Sequence, residues 1–164
     1  MASRKLDVDF GQIQPLNGSQ QEGFEEFCCQ LASRGSDAPK EGVFKRYRGA
    51  GSDGGVDCVW QFPDGDERGW QADYFLKLNK GQLDASVETA LDLHPTLTRY
   101  TICIPFNFTG PKKGPKGEVL KSEVDQWAEV VAHRDSLAAA RKRKIQWVLR
   151  TNTDRLDRLL GAAR

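Results

Sequence analysis

Three side chains, Asp57, Gln71 and Asp73, have the types and spacing to do chemistry in this chain. A glycine-rich stretch, Gly49-Ala-Gly-Ser-Asp-Gly-Gly-Val56, delivers Asp57 to the start of an apolar run. After a turn, Trp70-Gln-Ala-Asp-Tyr-Phe75 presents Gln71 and Asp73 two residues apart, which on a strand puts both on one face. Two carboxylates and an amide oxygen on adjacent strands suit a divalent cation such as Mg2+ or Mn2+. Such a site can activate water and neutralise charge on a pentacovalent phosphate, so the pattern points to phosphodiester hydrolysis. The glycines at 49, 51, 54 and 55 would let the backbone approach a phosphate. On spacing alone, the same residues also describe an ordinary hairpin whose polar face is solvated.

Other groups could serve such a site. Glu25 and Glu26 flank an apolar helical stripe and could supply a further carboxylate. Gln82, Ser86 and Thr89 share one polar helix face and could bond a phosphate or orient a water. Basic patches lie at Lys45–Arg48, Lys112-Lys113-Gly-Pro-Lys116 and Arg141–Lys144, each able to neutralise phosphates or simply to sit in solvent. His94 precedes a proline and His133 lies within a long helical stretch; neither has the neighbours of a catalytic triad, so both read as structural.

The elements that position these residues follow from periodicity. Phe24, Phe27, Cys28 and Leu31 fall at i, i+3, i+4, i+7, predicting a helix over 20–33 with Ser19 as its N-cap. Strands are expected at 43–48, 56–62 and 70–76, the last two joined by the Pro63-Asp64-Gly65 turn. A helix over 81–93 ends at His94-Pro95, and a central strand covers 99–104. Residues 107–118 read as a mobile basic loop, 119–140 as a helix with Val124, Trp127 and Val131 inward, and 144–149 as a buried strand. Thr153 would cap a last helix carrying Leu156, Leu159 and Leu160. The order predicts an α/β domain with a mixed central β-sheet flanked by helices, spanning 19–164 behind an N-terminal arm of residues 1–18.

Composition bounds the rest. With 164 residues, 29% charged and 38% apolar, the chain is sized for one soluble domain. No apolar run is long enough to span a bilayer, and no apolar leader is present, so a cytoplasmic protein is expected. A net charge of +1 means that any nucleic-acid affinity must come from local patches. Cys28, Cys29, Cys58 and Cys103 show no metal-ligand spacing and read as reduced thiols.

Phe24-Glu-Glu-Phe27, Gly51-Ser-Asp-Gly-Gly-Val-Asp57 and Trp70-Gln-Ala-Asp-Tyr-Phe75 together resemble the restriction-endonuclease-like PD-(D/E)XK superfamily, nearest to its Mrr-like branch. The resemblance covers roughly residues 20–150. It implies a Mg2+- or Mn2+-dependent DNA endonuclease acting on double-stranded DNA, a homo-oligomer when active. It further implies the effector module of a longer bacterial anti-phage protein, followed by an NTPase or sensor domain. By position, Asp57 matches the metal-binding aspartate and Gln71 the Glu/Gln of the second motif half. Glu25 matches the helix glutamate, with Glu26 the near alternative. Arg48, Ser52, Gln82, Ser86, Lys112, Lys113 and Lys116 fall where DNA contacts are expected. Asp73 departs from the pattern, because that position is normally the lysine that positions the attacking water and offsets transition-state charge. Three accounts of the departure are open: a change made to silence a toxic nuclease, a naturally inactive domain, or a transfer of the role to another lysine. Lys77 shares the strand parity of Asp73 but lies about 13 Å further along.

Overall fold

The computed structural model describes residues 9–35, 38–47, 54–75, 77–78 and 80–152, with the backbone alone of Gln82. Helix α1 (Gln20–Arg34) starts where Ser19 Oγ accepts the Glu22 N–H, the cap its sequence predicts. Strands β1 (Val43–Arg46), β2 (Cys58–Gln61) and β3 (Glu67–Ala72) form an antiparallel meander. Helix α2 (Lys80–Leu93) then crosses over to β4 (Leu97–Cys103), which pairs parallel with β3. A short ribbon of β5 (Lys112–Lys113) and β6 (Val119–Leu120) follows. Helix α3 (Glu123–Ala140) crosses over to β7 (Gln146–Arg150), parallel to β4. The result is a mixed five-stranded sheet in the order β1-β2-β3-β4-β7. The α/β class with a mixed central sheet is therefore as expected.

Two cores sandwich this sheet. Under α2 and α3 lie Leu83, Val87, Ala90, Leu91 and Ala138, packed on Val56, Tyr100, Ile102 and Ile104. On the other face, α1 buries Phe24 and Cys28 against Ala72 and Cys103, and Cys29 and Ala32 against Cys58. Trp60 Nε1 donates to the Ala32 carbonyl at 2.9 Å and pins α1 to β2. All four cysteines are buried free thiols that pack as small apolar side chains.

Several boundaries differ from the sequence reading. Strand β3 begins at Glu67 and leaves the sheet after Ala72, rather than running 70–76, because the Glu67 N–H bonds the Thr96 carbonyl and extends pairing toward the turn. The stretch read as a mobile basic loop contains β5, and Val119 and Leu120 are a strand rather than the first turn of a helix. Helix α3 instead starts at a capping box: Ser122 Oγ accepts the Asp125 N–H while Asp125 Oδ2 accepts the Ser122 N–H. Trp127 packs against the core as expected and Val130, Arg134 and Ala138 are buried, whereas Val124 is exposed. Within the arm, Phe10–Gln12 form a 3-10 helix and buried Phe10 stacks on Phe24 and Phe27. The predicted helix after Thr153 lies outside the described residues. Among the described residues, no helix is long and apolar enough to cross a membrane.

Candidate functional site

Asp57 lies at a break in strand alternation. Val56 packs in the core under α2, and Cys58, two residues on, packs under α1. Strict alternation would put both on one face, so the chain bulges between them. Asp57 turns its carboxylate along the sheet, where Oδ2 accepts the Ala72 N–H at 2.6 Å. Its backbone is tied on both sides: its N–H donates to the Trp70 carbonyl at 2.8 Å and its carbonyl accepts the Tyr47 N–H at 2.9 Å.

Gln71 and Asp73 share one face, as their spacing predicts. Ala72 and Tyr74 pack under α1 while Phe75 packs with the α2/α3 core, so Gln71 and Asp73 point toward α2 and α3. The Asp73 N–H donates to the Cys103 carbonyl at 2.9 Å, which seats it beside the end of β4. All three site side chains are buried, at 4% exposure for Asp57, 9% for Gln71 and 6% for Asp73. Gln71 Oε1 accepts no hydrogen bond, although it is shielded from water. An unsatisfied buried amide oxygen costs about 1–3 kcal/mol, which a ligand at this oxygen would recover.

Gly55 has a packing task that the sequence did not announce. Gly55 has φ +79°, and a Cβ there would stand 2.2 Å from the Ser86 carbonyl oxygen and 2.7 Å from the Ala90 nitrogen. Its lack of a side chain lets the loop lie directly on α2, and Tyr100 Oη donates to its carbonyl at 2.7 Å. The approach made possible here is to a helix. Ser86 accordingly lies beside the loop on α2, half-buried.

The carboxylates of Glu25 and Glu26 share a basic partner. Both come from α1, and both pair with Arg46 on β1, Glu25 at 3.6 Å and Glu26 in closer contact. Lys112, Lys113 and Lys116 project from the β5–β6 ribbon in the β4–α3 crossover, and Lys77 is exposed. Gly49, Gly51, Arg48, Ser52 and the Gln82 side chain lie outside the described residues.

Two polar features escaped the sequence reading. Arg134 on α3 is fully buried, donating to the Leu83 carbonyl at 2.8 Å and standing 3.5 Å from Asp84, with its guanidinium near the Trp127 and Trp147 rings. Burial lowers its pKa from the ordinary value, and Tyr100, Asp84 and Asp73 oppose that shift by charge. Asp73 thus acts electrostatically on a buried cation from α3. The signal was the phase of Arg134, four residues beyond Val130 and seven beyond Trp127, on the inward stripe. The second feature is a buried pair, Glu67 Oε2 and His94 Nδ1 at 3.2 Å, with Gln61 Nε2 donating to Glu67 Oε1 at 2.5 Å. Tyr47 stacks edge-on against His94, and its pKa is raised by burial and by the charge of Glu67. His94 thus has a buried carboxylate partner that no sequence spacing revealed.

The donor set fits a hard divalent cation. Asp57, Gln71 and Asp73 offer only oxygen atoms, and the amide oxygen of Gln71 lacks a protein donor. Among the described residues, no three His, Cys, Asp or Glu side chains gather closely enough to hold a metal ion. No protein-family model matches the chain, and no curated protein matches it in sequence.

Proposed function

We propose that this domain is a Mg2+- or Mn2+-dependent DNA endonuclease fold, the effector module of a bacterial anti-phage protein, with its chemistry impaired by the aspartate at position 73. The observation that supports it best is the buried, unpartnered Gln71 Oε1, one residue before Ala72, whose N–H the Asp57 carboxylate on the neighbouring strand accepts. Asp57 and Gln71 would hold the cation, which when bound supplies an activated water and neutralises charge on the phosphate. Asp57 is positioned for this by the Ala72 N–H, which fixes its carboxylate between β2 and β3. Asp73 places negative charge where a nuclease of this kind needs a cation. Loss of electrostatic stabilisation at such a point costs several kcal/mol of barrier, on the order of a hundred- to thousandfold in rate. Cutting both strands of a duplex would call for a homo-oligomer, and an NTPase or sensor domain in a longer protein would license it.

A second reading, a catalytically inactive DNA-binding or regulatory module, is favoured by one observation: the Asp73 charge acts on buried Arg134, a structural task for the residue. Plasmid cleavage by the chain and by Asp73→Lys, with Mg2+ or Mn2+ and an EDTA control, separates the two. Cleavage by the lysine variant alone, stopped by EDTA, supports the nuclease. Metal-independent inertness of a folded lysine variant supports the binding module.

A further inference from the structure

The β5–β6 ribbon stands apart from the five-stranded sheet as a sheet of two strands. Its register pairs Lys112 with Leu120 and Lys113 with Val119, so each face carries one lysine and one aliphatic side chain. Both faces meet solvent, with Val119 75% and Leu120 45% exposed. An isolated two-stranded ribbon is marginal in water, yet this one is held firmly from both ends. The Gly114 N–H donates to the Glu118 carbonyl at 2.8 Å, and Glu118 Oε2 accepts the Lys116 N–H at 3.0 Å. At the base, Glu123 Oε2 accepts from the Thr109 N–H at 2.7 Å. Phe108 stacks on Phe106 and Phe106 on Phe75, at 6.1 and 6.0 Å, which links the ribbon base to the segment just past Asp73.

Charge decides what such a ribbon meets. Lys112, Lys113 and Lys116 form no ion pair among the described residues, while Lys121 is held by Glu129. The one carboxylate of the ribbon, Glu118, is turned into its own turn. Three unpaired lysines around two aliphatic side chains are poor material for a protein interface, whose core is depleted of lysine. They suit a polyanion with an apolar floor. The major groove of a DNA duplex, about 12 Å wide, admits a two-stranded ribbon, with phosphates on its rims and thymine methyl groups in its floor.

We propose that the β5–β6 ribbon enters the major groove of duplex DNA edge-on with β6 leading, so that Val119 and Leu120, on opposite faces, approach the base edges while Lys112 and Lys113 on β5, together with Lys116, reach phosphates on the rims. The proposal rests on the DNA-directed reading of the Asp57–Gln71 site and says how the duplex is held there. The test is fluorescence anisotropy of a labelled duplex in EDTA, so that metal binding and cleavage play no part. K112A/K113A/K116A should weaken binding about tenfold or more at moderate salt and reduce the salt slope by nearly three, at ~0.9 per phosphate contact. V119S/L120S should weaken it severalfold with the slope unchanged. Neither should alter the thermal melt, since all five side chains are exposed. Methyl green, a major-groove ligand, should compete, and netropsin, a minor-groove ligand, should not. Binding by the parent with both variants equal to it overturns the ribbon proposal alone, as does competition by netropsin only. A change of association state in V119S/L120S with unchanged DNA affinity also overturns it and assigns the ribbon to a second copy of the chain. Absence of DNA binding by the parent overturns both the ribbon proposal and the nuclease reading.

Discussion

The Asp57 carboxylate accepts the Ala72 backbone N–H at 2.6 Å, so the proposed metal ligand is also a bolt between β2 and β3. The two roles separate by substitution. Asp57→Asn keeps an oxygen acceptor for Ala72 and removes the charge; it should fold normally and lose divalent-metal binding in isothermal titration calorimetry. Asp57→Ala leaves a buried N–H unsatisfied and should cost about 1–3 kcal/mol in urea unfolding as well. Equal metal affinity in the parent and the asparagine variant would remove Asp57 from the site.

Asp73 and Arg134 should behave as a coupled pair. Asp73→Lys replaces a favourable charge by a second cation facing a buried guanidinium. It should lower the melting temperature more than Asp73→Asn does. In the double variant Asp73→Lys/Arg134→Met the losses should not add, with a coupling of roughly 0.5–3 kcal/mol. Cleavage assays of the lysine variant therefore belong alongside its melt and alongside the double variant. Strict additivity would show that the two charges are independent.

Gly55→Ala is expected to be severe. The backbone conformation alone costs about 1–3 kcal/mol for a non-glycine residue, and the new Cβ would overlap the Ser86 carbonyl on α2. Gly65→Ala is the control, since its φ is also positive but nothing stands within 4 Å of its Cβ. The difference between their urea midpoints isolates the loop–helix contact, and equal losses would deny it.

The α3 capping box gives a pH signature. Hydrogen bonds from Ser122 lower the Asp125 pKa below its ordinary 3.8. A carboxyl with a depressed folded pKa contributes its stability above the unfolded value and loses it as pH falls through the folded one. Ser122→Ala should therefore lower the stability at neutral pH, and the gap from the parent should narrow as the pH falls below 3.8. A gap constant into strong acid would mean that the box acts through something other than the Asp125 charge.

How much of this was legible beforehand depended on whether the signal was local. Helices α1 and α2 were visible because their apolar stripes and the Ser19 cap are written within a few residues. The β2–β3 hairpin was visible because Pro63-Asp64-Gly65 marks its turn. Gln71 and Asp73 share a face as their spacing required. What stayed hidden was set by distant partners. Glu25 goes to Arg46, Gly55 to α2, and Glu67 to His94, and none of these pairings has a sequence spacing that foretells it. Arg134 was hidden by its type, since arginine in an inward phase is normally read as an exposed break in the stripe. The β5–β6 ribbon was hidden because its proline and glycine residues also describe a structureless loop.

The sheet order has a kinetic consequence. Strands β1, β2 and β3 pair through neighbours in the chain, and a hairpin of this kind closes in about 1–10 μs. Strands β4 and β7 must wait for the α2 and α3 crossovers, whose longer loops close more slowly. Asp57 and Gln71 therefore come together early on the folding path, within one hairpin. Asp73 takes its place only when Cys103 arrives to receive its N–H. The site is assembled in two stages, and the residue that departs from the nuclease pattern belongs to the later one.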